Sequence, residues 1–303
     1  MSPRAGIVPP PGRQGPGPIA SPVVEMLDLV VARRASGVLP GERRAPGAGA
    51  GTELATLRQY QVGDDVRQLD PAATARTGVP HVRLQVPERL LTTWLLLDLS
   101  ASMAFGTAQR LKSDVAEGVA VVLGRLATRR GGRVALMTCG TPTPRLLKPR
   151  GGRGAVVGVR RVLAEGVAAD GAPQVVSLDD SLRRMMRVAR QPGLIVIVSD
   201  FRGPIDWGRS LRSLGMRHSL FAVEVHDPRE AALPAVGRLS LVDPESGAQV
   251  EVDTSDSVLR ERYAAAEQER RGQVAAALKG AQAEHAMLST QGNWLKELGR
   301  RLR

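Results

Sequence analysis

The chain has one cysteine, Cys139, and four histidines, His81, His218, His226 and His285, in 303 residues. A lone thiol makes no intrachain disulfide, and no Cys/His cluster has zinc-finger spacing, so disulfide-framework and zinc-module classes are excluded and a reducing cytoplasm fits best. Aromatic residues number only eight. That is too few, and too dispersed, for the stacking platform that single-stranded nucleic-acid binders use. Long apolar runs are missing as well: Leu194 to Val198 falls far short of the roughly 18 residues of a membrane span, and the Pro/Gly-rich start lacks the apolar core of a signal peptide. Lysine is rare, with Lys112, Lys148, Lys279 and Lys296 the only ones among 42 basic residues. The formal charge of +12 therefore rests on arginines scattered among Ala, Gly, Pro and Val. Scattered cations predict at most weak, nonspecific nucleic-acid binding that collapses with salt. Neither Gly-x-x-x-x-Gly-Lys-Ser/Thr nor Gly-x-Ser-x-Gly occurs, which argues against an intrinsic ATPase and a serine hydrolase.

What is present is an ordinary globular balance, 43% hydrophobic and 24% charged, on a length that suits one or two domains at roughly 150 residues each. Residues 1–22, with Pro9 to Pro18 reading PPPGRQGPGP, cannot bury enough apolar surface to offset ordering and are expected to be a disordered arm. A second segment, 23–91, begins with helical spacing at Val24, Leu27, Val30 and Val31. After a Gly/Pro-rich stretch it becomes a densely charged, irregular β-containing run from 52 to 90. Its charges Arg58, Asp64, Asp65, Arg67, Asp70 and Arg76 read as solvated or mutually paired surface, and they are also candidate partner-binding residues.

From 92 to 303 the pattern is α/β. The runs TTWLLLD, RVALMT, LIVIVSD and SLFAVEV are continuous and apolar, as central parallel strands buried on both faces must be. Helical patterns alternate with them at Lys112 to Arg129, Gly154 to Ala164, Leu178 to Ala189 and Asp206 to Leu214, which implies a doubly wound sheet. A turn, Asp243-Pro244-Glu245-Ser246-Gly247, flanked by LSLV and AQVEV, predicts a β-hairpin near 238–253. Beyond it a long helix is expected, capped by Thr254, Ser255 or Asp256 and running to about His285. A strand Ala286 to Ser289 and a terminal amphipathic helix follow.

In such sheets ligands sit beyond the carboxyl ends of the strands. The first core strand ends in Asp98-Leu99-Ser100-Ala101-Ser102, three oxygen-bearing side chains at alternate positions, and LIVIVS ends in Asp200. These hard oxygen donors suit Mg²⁺ or Mn²⁺ held with several waters. The competing structural reading is that Asp98 and Ser100 cap the following turn. A phosphatase of the haloacid-dehalogenase type would also end a strand in Asp-x-Asp, but Ser100 stands where its general acid belongs and cannot protonate a leaving group near neutral pH.

DLSAS at Asp98 to Ser102 resembles the DxSxS metal-ion-dependent adhesion motif of von Willebrand factor A domains. GTELATLRQYQVGDDVRQLD, TARTGVPHVR, PERLLTTWLLLD, VSDF, HDPRE, DPESG and VDTSDSVLRERYAAAEQERR resemble the family called domain of unknown function 58, over nearly everything from Gly51 to Arg303. The resemblance implies a von Willebrand factor A-like fold and an adaptor or co-chaperone role, which the absent catalytic motifs make non-enzymatic and the lone cysteine places in the cytoplasm. Its implied partners are a MoxR-type AAA+ ATPase and that enzyme's protein client. It also implies Asp98, Ser100 and Ser102 as the first metal motif and Asp200 as the third. The threonine of the second motif falls near Val176, with Ser177 the nearest hydroxyl, and Pro71 stands where the family commonly has tryptophan. If Ser177 fails to reach the cation, partner binding would rest on shape and on the segment from Arg58 to Arg76.

Overall fold

A computed structural model describes residues 7–8, 53–86, 91–107, 109–129 and 131–302. The chain divides into a unit formed by residues 41–90 and a larger one formed by residues 1–40 with 91–303. The helix expected from Val24 to Ala32 lies outside the described residues, as does most of the expected arm. Within that arm Ile7–Val8 depart from the expectation and form a short strand, β1, of the larger unit.

In the smaller unit, β2 (Glu53–Gln59) pairs antiparallel with β3 (His81–Val86), and a single-turn 3₁₀ segment and helix α1 (Pro71–Thr77) lie between them. Local chemistry sets this connection. The Asp70 carboxylate accepts from the Ala73 amide at 2.8 Å as N-cap, Pro71 needs no donor in the first turn, and Gly78 closes α1 at φ 71°, where a side chain would be strained.

The larger unit is built on a six-stranded sheet. Its first strand, β4 (Thr92–Asp98), is followed by α2 (Lys112–Arg129), β5 (Arg133–Cys139), β6 (Leu146–Arg150), α3 (Gly152–Leu163) and β7 (Val167–Ala168), the last pairing with β1 outside the main sheet. Then come α4 (Leu178–Val188), β8 (Leu194–Ser199), α5 (Gly208–Gly215) and β9 (Ser219–His226). The hairpin β10 (Arg238–Val242) and β11 (Gln249–Asp253), helix α6 (Ser257–Gly280), β12 (Glu284–Ser289) and α7 (Trp294–Arg301) complete it. The sheet order is β12-β9-β8-β4-β5-β6, parallel except for the antiparallel edge strand β6. This doubly wound order, reversing between β4 and β8, is the von Willebrand factor A-like architecture expected from the sequence.

Alternation along the strands sends Leu95, Leu97, Leu136, Val196 and Val198 to one core, shared with α2, α3 and α7. Trp94, Leu96, Met137, Ile195 and Ile197 go to the other, with α4, α5 and α6. Each fully buried leucine contributes roughly 2 kcal/mol of transfer free energy. Gly118 on α2 makes the α7 contact possible: a Cβ there would stand 2.3 Å from the Trp294 ring. Besides β1, the short elements α1 and β7 and two larger ones differ from expectation. Strand β6 was not predicted, because LLKPR is short, half-exposed and carries Pro149, tolerated here on an edge strand. Helix α6 stops at Gly280, short of His285, because Gln282 takes a left-handed φ of 55° and His285 is drawn into the sheet opposite Ala222. No described helix is long and apolar enough to cross a membrane.

Candidate functional site

Strands β4 and β8 lie side by side, Leu97 opposite Val198, so Asp98, the last residue of β4, and Asp200, just after β8, emerge together where the sheet order reverses. Asp98 is buried, and both its oxygens accept hydrogen bonds. The Ser100 amide donates to Oδ1 at 2.9 Å and the Ser199 hydroxyl to Oδ2 at 2.5 Å. The Ser100 and Ser102 hydroxyls are 3.1 Å apart at the start of a short 3₁₀ turn, Ala101–Ala104, whose Ser100 makes no side-chain cap. Gly140 closes the floor from β5: it has φ 72°, and a Cβ would sit 2.5 Å from the Ser100 nitrogen and 2.6 Å from Asp98 Oδ1. Only glycine permits that approach without displacing the loop.

Asp200 has a different partner set. Its Oδ2 lies 2.5 Å from Nζ of Lys112, whose side chain is wholly buried, and its Oδ1 accepts from the Arg202 amide at 3.1 Å. The same ammonium is 2.6 Å from Glu230 Oε1, and 5.7 Å from the centre of the Phe105 ring. Glu230 also accepts from the Asp227 amide at 2.9 Å and faces the Arg202 guanidinium at 3.3 Å. Phe201, directly after Asp200, is held at φ 50°. Its carbonyl accepts from Arg270 at 3.0 Å and its ring packs against Trp207 at 5.3 Å. A bulky residue in that region is strained, and such strain persists only where surroundings impose it.

The electrostatics divide accordingly. Burial, reinforced by the Asp200 charge, pushes the Asp98 carboxyl up to about 6 against the opposing Ser199 and Ser100 hydrogen bonds. Burial also pushes Asp200 upward, but the Lys112 ammonium outweighs it and holds that carboxyl below its ordinary value. For Lys112, burial works against the charge and the two carboxylates more than compensate, leaving its pKa raised. Burial pushes the Cys139 thiol well up, and the charges of Asp98, Asp200 and Glu245 add to it.

Of the residues expected at the metal motif, Asp98, Ser100, Ser102 and Asp200 converge, whereas Ser177 does not join them. Ser177 is exposed and caps α4, its hydroxyl accepting from the Asp180 amide at 3.1 Å and donating to the Asp180 carboxylate at 2.9 Å. Its neighbour Val176 is tied through the backbone to Gly140 and Thr141. Thr141, at the end of β5, is buried, and its hydroxyl has no hydrogen-bond partner among the described residues. Among those residues no group of three His, Cys, Asp or Glu side chains is arranged to hold a metal ion.

The charged segment of the smaller unit serves mostly local ends. Arg58 grips Asp64 with two nitrogens, at 2.8 and 2.5 Å. Asp65 accepts from the Arg67 amide at 3.0 Å, Asp70 caps α1, and Arg67 and Arg76 expose their side chains.

Sequence reasoning missed Lys112, Ser199, Glu230 and Glu245. Two signals were available: Lys112 is one of four lysines in an arginine-dominated chain, opening an apolar helix, and Asp227-Pro228-Arg229-Glu230 reads as a capping box. The Glu245 contact, to the Ser102 amide at 3.2 Å, spans 143 residues and leaves no local trace.

The sequence profile described as "Protein of unknown function DUF58" matches residues 56–273. An uncharacterized protein of Mycobacterium tuberculosis and another of Mycobacterium bovis are each 38% identical over 289 residues, covering 93% of this chain and 89% of theirs. Among solved structures the chain is similar to BatB, a conserved hypothetical protein from Bacteroides thetaiotaomicron (TM-score 0.44, 13% identity, 70% of this chain and 97% of that one). It is also similar to an aerotolerance-related membrane protein from Bacteroides fragilis (TM-score 0.45, 12% identity, 70% and 98%). With a profile spanning most of its length and relatives of this identity over most of both sequences, the chain belongs to the DUF58 family.

Proposed function

We propose that the chain is a non-enzymatic, cytoplasmic adaptor that recognises protein partners through the rim formed by Asp98, Ser100, Ser102 and Asp200, working with a MoxR-type AAA+ ATPase and its client. The observation that carries this reading is the convergence of two strand-end carboxylates and two hydroxyls at the reversal of the sheet, where open α/β sheets bind ligands.

The donor set, one carboxylate and two hydroxyls with a second carboxylate nearby, is made of hard oxygens and fits a small divalent cation such as Mg²⁺. Asp98, Ser100 and Ser102 would hold it, and the buried, unpartnered Thr141 hydroxyl is a better candidate for a further donor than Ser177. When bound, the cation would supply an open coordination position for a partner's carboxylate. The protein's own contribution is orientation. Ser199 fixes one Asp98 oxygen, Gly140 lets the loop approach the end of β5, and Lys112 holds the Asp200 carboxylate in place.

Absence of catalysis is part of the proposal. Ser100 stands where a general acid would be needed and cannot serve as one near neutral pH. Isothermal calorimetry of the chain with a MoxR-type ATPase, in Mg²⁺ and in EDTA, tests the reading. We expect association that weakens at least tenfold with EDTA or with Ser100→Ala, and no hydrolysis of phosphoesters. Metal-independent association that survives Asp98→Ala would remove the cation from the mechanism. No association with any such ATPase would remove the adaptor role.

A further inference from the structure

The hairpin β10–β11 has a core-like reason to exist neither in its composition nor in its burial: among the described residues its strands pair only with each other, and most of their residues are exposed. Two-stranded hairpins are marginal by themselves in water. This one is nevertheless tied down at its tip. The Pro244 carbonyl accepts from the Gly171 amide at 2.9 Å, in the loop that follows β7, and Gly171 and Gly247 meet so closely that a Cβ on either would lie about 3.4 to 3.5 Å from the other's Cα. The tip is also preformed. The Asp243 carboxylate accepts from the Glu245 amide at 3.1 Å and from the Ser246 hydroxyl at 2.5 Å, and the Gly247 amide closes on the Asp243 carbonyl at 2.7 Å.

What this preformed turn presents is a single carboxylate. Glu245 Oε1 accepts from the backbone amide of Ser102 at 3.2 Å, inside the motif of the proposed recognition rim. Ser102's own neighbour Ser100 does not cap that amide, since its hydroxyl is engaged with the Ser102 hydroxyl. Glu245 stays exposed to solvent, so the contact is open to competition in a way that the buried Lys112 pairs are not.

We propose that the hairpin is a built-in occupant of the rim: Glu245 holds the Ser102 amide in the free protein, and a protein partner gains the site by offering an acidic side chain, itself on a tight turn, that displaces it. This rests on the reading of the rim as a protein-recognition site and adds to it a competitor within the same chain. It makes the free chain a weaker binder than its rim alone would be, because a partner must first break the internal contact.

Hydrogen-exchange mass spectrometry on the full chain tests the idea without any ATPase. Glu245→Gln keeps the shape of the turn and removes the charge. We expect amide exchange across residues 99–105 and 240–250 to accelerate about tenfold, the size of one charge-assisted hydrogen bond, while the control Glu251→Gln, on the exposed strand β11, leaves it unchanged. As a second arm, a cyclic peptide with the sequence of residues 241–249 is added to Glu245→Ala. It should restore protection at 99–105, and the same peptide with glutamine in place of its glutamate should not. Exchange that is identical in native and Glu245→Gln chains, with no protection by the peptide, would overturn the latch. Calorimetry with the ATPase then separates the two readings. Association equal in native and Glu245→Ala chains counts against the latch and leaves the adaptor standing, whereas association in neither counts against the adaptor alone, the latch having been decided by exchange.

Discussion

Two regions of this molecule use the same residue types to opposite ends. In residues 58–76 arginine and aspartate lie at or near the surface, with Asp70 alone among them buried. Arg58 holds Asp64, Asp65 and Asp70 cap turns, and the chemistry is spent within a few residues of where it starts. At the reversal of the sheet, Asp98, Asp200, Lys112 and Glu230 are buried and drawn from four separate places in the chain, and Lys112 binds Asp200 and Glu230 across 88 and 118 residues. The contrast is one of solvent. Water screens the solvent-accessible members of the first set, such as Arg58 and Asp64, so that such a pair is worth little alone. The second set is desolvated, so every charge must be answered and removing one leaves another stranded.

The sharpest way to break the comparison is Lys112→Met. It strips the buried Asp200 of its ammonium partner and leaves Glu230 with Arg202 alone, and we expect a loss of about 3 to 5 kcal/mol in urea unfolding. A loss no larger than that of a surface substitution would mean that water reaches the cluster, and the distinction between the regions would fail.

Asp227→Asn is expected to have a smaller effect, about 2 kcal/mol at neutral pH. Its carboxylate accepts from Thr107 through both amide and hydroxyl, at 2.8 and 2.5 Å, and from the Thr290 hydroxyl at 2.6 Å. Burial raises its pKa, but these bonds outweigh it and the net shift is downward. A depressed folded pKa means that the stabilisation is present above the ordinary aspartate value near 4 and is lost as pH falls through the folded value. Urea melts of both chains from pH 7 to pH 2.5 should therefore converge at the acid end. A difference that stays constant would assign the effect to packing.

The smallest change is expected at the surface. Arg58→Ala and Asp64→Ala should leave the unfolding midpoint nearly unmoved and should show little coupling in a double-mutant cycle, a result that high salt would not alter. Strong coupling would place this pair with the buried cluster.

Much of the larger unit was legible because its strands are buried on both faces. TTWLLLD, RVALMT, LIVIVS and SLFAVEV had to be continuous and apolar, and the helices between them carried a single apolar face. The edge strand β6 escaped notice because an edge needs neither feature, and the end of α6 was misjudged because a left-handed turn at Gln282 has no side-chain signature. Ser177 read as a motif hydroxyl by its place before Leu178, yet helix capping claims it.

By itself, then, the sequence determined most of the buried strands and the longer helices of the larger unit, and that Asp98 and Asp200 end strands, since those properties depend on neighbours two to four residues away. Which strand ends meet was decided by tertiary structure, through a sheet order that sets β4 beside β8. So was the choice of Lys112 and Glu230 as partners for Asp200, and the arrival of Glu245 at Ser102. The reason is range: hydrophobic periodicity is a local property of the chain, whereas the burial that gives a charge or a hydrogen bond its strength is created only when distant segments close around it.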